Sequence, residues 1–235
     1  NGATSYEIET SNGVSNVGSS LTAIQKNLAS GTKYKYRIRS HNPIGGYSNW
    51  SEYAYTRTLF SAPHNLYVNK IQSRSIELSW SINWSASYYQ IEIDGTIVRS
   101  IGSSYKDTKL YPCSQHKYRV RAVDEYDQPG EWSSSIIAIT CPDVPSISCS
   151  SSSNFIKLNI SKIAGADSYE IIADGKYYSS SASISEFYHN NLPANSSHSY
   201  QIRAYSRIGG WSDWSYVYYY KTDLSICYNE WEICA

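Results

Sequence analysis

One residue pattern occurs three times in this chain of 235 residues at a constant spacing. Leu28 and Leu110 are 82 residues apart, and Leu192 follows at the same interval. Two further sets keep that interval, one of tyrosines and one of tryptophans: Tyr36, Tyr118 and Tyr200; Trp50, Trp132 and Trp214. Three residue types that share one period indicate a tandem array of one folded unit. The chain is therefore expected to form several small modules rather than one large domain.

Composition and local patterning predict an all-β module. The chain has 24 Tyr but only 3 Phe, and Ser, Thr, Ile and Val supply much of the remainder. These residue types suit pleated, half-buried surfaces. In the most complete repeat, Ser75–Ile82 and His116–Val123 alternate apolar with polar residues, and Asp94-Gly95 has the sequence of a tight hairpin turn. Short strands at such intervals predict a sandwich of two antiparallel sheets.

The phase of the repeat predicts where the modules begin and end. A partial module is expected over residues 1–58, complete modules over 59–141 and 142–222, and a tail or further module over 223–235. The first repeat opens at Tyr6-Glu7-Ile8, which corresponds to the third strand of the second repeat. It therefore lacks its first two strands, and its core would be open to water. Either the chain continues upstream, or another molecule supplies these strands.

Charge and cysteine usage restrict the partners and the compartment. Formal net charge is +0, and only 17% of residues are charged, so neither nucleic acid nor an anionic membrane surface is an expected partner. No apolar run reaches the roughly 20 residues that span a bilayer, so membrane insertion is not expected. Met is absent, which suggests a processed product or a segment of something longer. The 5 Cys show no zinc-ligand spacing, and they favour disulfides and an extracellular location, either secreted or at the cell surface.

The cysteine positions suggest a pairing scheme. Cys113 and Cys141 flank the last two strands of the second repeat, so they lie at the open end of one hairpin and are expected to form a disulfide. Cys227 and Cys234 would close a small loop in the tail. Cys149 is then left over, and Cys149–Cys227 is the rival pairing.

Several of these residues resemble fibronectin type III modules. Trp80 matches the buried tryptophan of the family's second strand, and Leu28 with Tyr34 matches its leucine–tyrosine corner. The segments from Gly2 to Glu9 and from Gly31 to Arg39 look most like modules in secreted or surface proteins of anaerobic Gram-positive bacteria. The resemblance extends from Ala3 to Thr222 and implies tandem immunoglobulin-like sandwiches. Three residues depart from the family pattern: His116 and His198 at the corner tyrosine, and Ile160 at the tryptophan.

A tryptophan motif recurs with the repeat. Residues 211–215 read Trp-Ser-Asp-Trp-Ser, a signature of cytokine-receptor modules of this fold, and residues 47–51 are a near copy. Because the resemblance implies stacking between these rings and arginines of the neighbouring strand, a Trp–Arg ladder is expected on each outer face. Its members are Trp50, Arg37 and Arg39; Trp132, Arg119 and Arg121; Trp211, Trp214 and Arg203.

Few residues suggest chemistry. Asn49, Asn83 and Asn195 begin matches to the N-glycosylation pattern, at about the frequency that chance gives in a chain rich in Asn and Ser. The five histidines occupy core, loop or strand-start positions without the nucleophile–base spacing that catalysis requires. No catalytic residue, cofactor site or metal ligand is expected, and the chain is interpreted as not being an enzyme.

The leading hypothesis is an extracellular array of structural or adhesive modules, part of a surface protein or filament. Two alternatives remain, an accessory spacer region of a secreted polysaccharide-degrading enzyme and a decoration protein of a phage tail or injection machine. The expected partners are other protein subunits or neighbouring modules, with carbohydrate or a host surface as further candidates. The tail alternates apolar and polar residues and could donate a strand to the open edge of the first repeat.

Overall fold

The computed structural model describes residues 2–224, and every regular element in that range is a β-strand. The strands, in chain order, are β1 (Ser5–Thr10), β2 (Gly13–Gly18), β3 (Lys33–Asn42), β4 (Gly46–Tyr47), β5 (Ala54–Arg57), β6 (Tyr67–Gln72), β7 (Ser75–Ser79), β8 (Tyr88–Ile93), β9 (Thr96–Ser100), β10 (Ser104–Thr108), β11 (Gln115–Val123), β12 (Ile136–Ile139), β13 (Ile147–Ser151), β14 (Phe155–Ile160), β15 (Ser168–Ala173), β16 (Lys176–Ser181), β17 (Glu186–Asn190), β18 (Ser197–Ser206), β19 (Gly210–Trp211) and β20 (Tyr218–Lys221). The predicted all-β class is therefore confirmed. The described part contains no helix long and apolar enough to cross a membrane.

The described residues divide into two units. The first contains residues up to 66 together with 80–103 and 118–135, and the second contains 67–79, 104–117 and the residues from 136 onward. The module boundaries expected from the repeat, after residues 58, 141 and 222, stay a prediction.

The first repeat, which belongs to the first unit, forms a single sheet. Its strand order is β2-β1-β3-β4, and β5 pairs with the other end of β3. Ile8 of β1 lies opposite Ile38 of β3 and sets the register of the central pair. Within residues 2–58 the strands form this one sheet and no second sheet. Residues 19–32 form no strand. The residues 82 positions later include β10, which pairs with β7, and residues 2–58 contain no counterpart of β7.

The remaining strands of the first unit continue the repeat. β8 pairs with β9, and it pairs with β11 in the register that places Ile91 opposite Val120. The order of these strands is β11-β8-β9. The turn between β8 and β9 is Asp94-Gly95, where φ is 49° and 89°. Both central residues are thus left-handed, as the predicted tight hairpin turn requires, and glycine adopts that conformation at little cost.

The third repeat of the chain lies in the second unit, and its strands form two sheets that pack together as a sandwich. One sheet has the order β13-β14-β17, and the other has β16-β15-β18-β19 with β20 also paired to β18. Their inward side chains make one core: Ile147, Ile156, Leu158 and Ile160; Tyr169, Ile171 and Ala173; Tyr200, Ile202 and Ala204. The same unit holds the β10-β7-β6 sheet, in which Ile76 and Leu78 are buried. Ile160 fills the position that Trp80 occupies in the second repeat, and both side chains are buried.

Truncation of a core leucine should destabilise the third repeat. Leu158 is fully buried in β14, so we expect Leu158→Ala to lower the free energy of unfolding by about 2–5 kcal/mol through lost burial and a residual cavity. Urea denaturation followed by tryptophan fluorescence measures the change.

Leu224 provides the matched control for this substitution. It is 69% exposed, so Leu224→Ala should change the free energy of unfolding by less than about 0.5 kcal/mol. Equal effects of the two substitutions would contradict the assigned core.

Candidate functional site

The outer face of the first sheet carries a stack of aromatic rings and cations. The guanidinium carbon of Arg39 lies 4.1 Å from the ring centre of Tyr47 and 4.5 Å from that of Trp50. The guanidinium carbon of Arg37 lies 4.9 Å from Trp50 on its other side and 4.8 Å from Tyr53. Each arginine thus sits between two π faces, a favourable electrostatic arrangement.

Glutamates of the neighbouring strand hold these arginines in place. Glu7 accepts a hydrogen bond from Nε of Arg39 at 2.8 Å, and Glu9 pairs in the same way with Arg37. Register explains the pairs, because Glu7 lies opposite Arg39 and Glu9 opposite Arg37. The hydrogen bond from Arg39 lowers the pKa of Glu7 against the opposing effect of burial. Fixing the guanidinium plane in this way orients it for stacking.

The later repeats contain shorter versions of the stack. Trp132 lies between Arg119 at 4.7 Å and Arg121 at 4.3 Å. Arg203 lies between Trp211 at 4.1 Å and Trp214 at 4.4 Å. The structure therefore brings all nine residues that the sequence assigned to the ladders into ring–cation contact. Sequence reasoning missed the supporting acceptors on the neighbouring strand: Glu7, Glu9, Gln90, Glu92 and Glu170.

Serines of the same motif close the edge of each sheet. Ser215 exchanges two hydrogen bonds with Ile202: its N–H donates to the carbonyl at 2.9 Å, and its hydroxyl accepts from the N–H at 3.0 Å. Ser133 does the same with Val120, and Ser51 with Ile38. The motif thus has two roles, since its tryptophans stack on arginines while its serines satisfy backbone groups that a short strand leaves unpaired.

A threonine at the 82-residue interval forms the corner of each repeat. The hydroxyl of Thr222 donates to the carbonyl of Pro193 at 2.7 Å and accepts from the N–H of Ser196 at 2.9 Å. Thr140 makes the same pair of bonds with Tyr111 and Ser114. In the first repeat, the hydroxyl of Thr58 donates to the carbonyl of Ala29 and accepts from the N–H of Thr32. The constant spacing of these threonines is the sequence signal that would have revealed them.

The corner histidine works through a serine rather than directly on a carbonyl. Nε2 of His198 lies 2.6 Å from the hydroxyl of Ser196, which donates to the carbonyl of Pro193 at 2.6 Å. Nδ1 of His198 lies 2.6 Å from a carboxylate oxygen of Asp174. Ser196, His198 and Asp174 are linked by hydrogen bonds in the order of a catalytic triad. The hydroxyl proton of Ser196, however, is donated to the carbonyl of Pro193, so Nε2 of the imidazole donates to the serine oxygen instead of accepting its proton. The arrangement is that of a structural corner, which His116 and Ser114 repeat at 2.7 Å.

Another histidine lies beside this corner. His189 of β17 places Nδ1 3.0 Å from the hydroxyl of Tyr200, and its ring centre is 5.6 Å from that of His198. One donor atom from each of Asp174, His189 and His198 lies within 4.8 Å of the other two. Burial lowers the pKa of His189, so its imidazole is neutral over a wider pH range. Sequence patterns did not indicate this cluster, because its members come from three separate segments.

The cysteines correct one expectation. Cys113 and Cys141 are free thiols in the structure, so the predicted disulfide between them is not formed. Cys113 has a left-handed backbone, with φ of 56°, and its sulfur packs against Gly165. Burial, and then the charge of Asp213, raises the pKa of Cys141. Cys149 is also a free thiol, whereas the predicted Cys227–Cys234 pair lies outside the described residues.

The glycosylation matches fall in different environments. Asn49 and Asn195 are exposed, whereas Asn83 is half-buried. The side-chain oxygen of Asn83 accepts a hydrogen bond from the N–H of Ser85 at 3.0 Å. Asn195 has a left-handed backbone, with φ of 57°. All three remain matches to a pattern, without a further feature that distinguishes them.

The inner face of the first sheet is open. Ile38 is 52% exposed, whereas Val120 and Ile202, which occupy the equivalent positions, are both 0% exposed. Grooves on this face are lined by apolar side chains: Tyr6, Ile8, Val17, Leu21, Ile24 and Leu28. The amide of Gln25 also lines a groove, and among the described residues neither its nitrogen nor its oxygen has a hydrogen-bond partner. The face therefore has the two properties of an unfilled interface, exposed apolar area and an unsatisfied polar group.

Three solved structures are similar to this chain. The FN1–FN3 domains of chicken CNTN1 are 15% identical with a TM-score of 0.34, over 94% of this chain and 89% of that one. A segment of two fibronectin type III domains from chicken tenascin is 14% identical with a TM-score of 0.41, over 68% and 99% respectively. The family 28 exopolygalacturonase of Yersinia enterocolitica is 17% identical with a TM-score of 0.33, over 34% of this chain and 20% of that one.

No protein-family model matches the sequence, and no curated protein sequence does. Similarities of this size to solved structures carry no argument about function. The fold assignment rests on the strands and the core of the chain itself.

Stacking in the third ladder should be measurable as a coupling energy. In a double-mutant cycle with Arg203→Met and Trp214→Leu, we expect a coupling of about 0.5–1 kcal/mol, because the ring contact exists only when both side chains are present. Urea denaturation of the four proteins gives the value. The control cycle combines Arg207→Met with Trp214→Leu. Because Arg207 pairs with Asp167 at 3.0 Å, the two changes in the free energy of unfolding should add to within about 0.5 kcal/mol.

The corner threonine should contribute through its hydroxyl. Thr222 is buried, so Thr222→Val leaves the carbonyl of Pro193 and the N–H of Ser196 without this partner and should cost about 1–3 kcal/mol. Thr222→Ser keeps the hydroxyl and should recover most of that loss. If the valine and serine variants unfold at the same urea concentration, the hydroxyl has no such role.

Proposed function

We propose that the chain is a non-enzymatic array of fibronectin type III modules that acts as a structural or adhesive segment of an extracellular surface protein or filament. The resemblance of its residues to modules in secreted proteins of anaerobic Gram-positive bacteria supports the location. The use of its polar groups supports the absence of catalysis, because the ladders and corners occupy the side chains that an active site would need.

The open face of the first sheet carries this proposal. Ile38, Val120 and Ile202 occupy the same position in the three repeats. Ile38 is 52% exposed, whereas the other two are 0% exposed. In the third repeat that position is covered by β13 and β14, which contribute Ile147, Ile156 and Leu158 to the shared core. A segment with the same alternation would cover Ile38 and the grooves beside it. The first repeat is therefore built to associate with two strands from a preceding module or a neighbouring subunit.

Burial of the exposed apolar side chains would favour such an association. Burial of apolar surface contributes roughly 25 cal/mol per Å². Leu21, Ile24 and Ile38 are each more than half exposed. Ile38 belongs to β3, and Leu21 and Ile24 belong to the loop whose side chains line the grooves on the inner face. A soluble monomer rarely leaves a contiguous apolar face of this kind uncovered.

Association through the open face is testable on the purified chain. We expect sedimentation velocity to show concentration-dependent association that Ile38→Asp removes, because a carboxylate on the inner face would be desolvated by any covering strand. Ile208→Asp is the control, since Ile208 is 62% exposed on a loop of the third repeat. It should leave association unchanged.

One result would contradict the proposal. If the wild-type chain is a monomer at every concentration while circular dichroism shows it folded, the face is not an interface between subunits. An isolated rod of that kind would instead favour the accessory spacer of a secreted polysaccharide-degrading enzyme. Electron microscopy of the native particle distinguishes the two, because filaments show a regular subunit repeat.

A further inference from the structure

We propose that Asp174, His189 and His198 form a binding site for a divalent transition-metal ion, with Zn²⁺ as the ion that fits the donor set best. One donor atom of each residue lies within 4.8 Å of the other two. Two imidazoles and a carboxylate are ligands that Zn²⁺ prefers, and bonds of about 2.0–2.2 Å would draw the three donors closer together. A water molecule would complete a tetrahedral site.

The outer hydrogen bonds of this cluster already orient both histidines. Nε2 of His198 lies 2.6 Å from the hydroxyl of Ser196, which leaves Nδ1 directed at Asp174. Nδ1 of His189 lies 3.0 Å from the hydroxyl of Tyr200, which leaves Nε2 as the remaining donor of that ring. A histidine that binds a metal usually fixes its other nitrogen on such a partner. In each ring one nitrogen is therefore held by a protein hydroxyl. Nδ1 of His198 shares a hydrogen bond with Asp174, and a bound ion would displace that proton to solvent and take its place between the two ligands.

The cluster is also open to solvent on one side. Asp174 is exposed at the β15–β16 turn, which gives an ion a path from solvent.

The second repeat shows what the third has added. His116 and Ser114 stand 82 residues before His198 and Ser196, so the corner occurs in both repeats. At the position of His189, however, the second repeat has Asp107. The third repeat thus combines the shared corner with a second imidazole, where the second repeat has a carboxylate.

A bound ion would join the two sheets of the third repeat. His189 belongs to β17, in the sheet with β13 and β14, whereas His198 belongs to β18 in the other sheet. Asp174 follows β15, a neighbour of β18. Because an ion that binds only the folded state stabilises it by mass action, Zn²⁺ should raise the melting temperature of this repeat.

The test uses the full chain without an affinity tag, after treatment with a chelator. We expect calorimetry to show one Zn²⁺ bound per chain and a higher melting temperature in its presence. His189→Gln and Asp174→Asn should each weaken binding at least about tenfold. His64→Gln, which removes an exposed histidine elsewhere, should bind Zn²⁺ as the wild type does.

Co²⁺ distinguishes this cluster from the cysteines. Cys113, Cys141 and Cys149 are free thiols, and a thiolate ligand would give Co²⁺ an intense near-ultraviolet charge-transfer band. The proposed site predicts visible Co²⁺ absorption without that band, displaced by Zn²⁺. Metal-free melting of both variants establishes that they are folded.

Three results would each overturn the assignment. The first is a thiolate band that accounts for the bound Co²⁺, and the second is unchanged affinity in folded His189→Gln. The third is no saturable binding below about 1 mM Zn²⁺. None of these outcomes bears on the open face of the first sheet, so the site and the proposed function are tested separately.

Discussion

One pairing of inward apolar residues underlies every repeat. Ile8 lies opposite Ile38, Ile91 opposite Val120, and Ile171 opposite Ile202. Because side chains alternate between the two faces of a strand, this register also decides which residues point outward. The arginines and glutamates of the ladders are the outward neighbours of these pairs. A shift of one residue would bury the charges and expose the core, so the apolar pair and the ladder specify the same register.

The two faces of the first sheet have different consequences for stability. Its outer face is complete, since the cations, rings and carboxylates of the ladder satisfy one another. Its inner face has the apolar residues of a core but only one of the two sheets that would enclose it. The folded state of this repeat therefore gains less from burial than the third repeat does. The stability of this repeat would therefore increase when another segment covers its inner face.

The sequence predicted the strands well because strand periodicity and turn chemistry are local. Asp94-Gly95 and Asp174-Gly175 are the turns that their residue types require. The phase of the repeat also predicted that residues 2–58 hold only the later strands of a module. The corner was harder to predict, since Thr222 contacts residues 26 and 29 positions earlier, and nothing local indicates that its hydroxyl bridges them. The pairing of Cys113 with Cys141 was inferred from hairpin ends alone, whereas the backbone of Cys113 directs its sulfur to Gly165.

Each corner threonine also occupies a particular mechanical position. Thr222 lies just after β20, the last strand of its repeat, and its hydroxyl binds the loop that leads into β18. Tension applied at the C-terminal end of the repeat would therefore reach this hydrogen-bonded corner before it reaches the strand ladder. Thr140 lies just after β12 in the same way. In an array under tension, the hydrogen bonds of these corners would have to break before the strands of a sheet could separate.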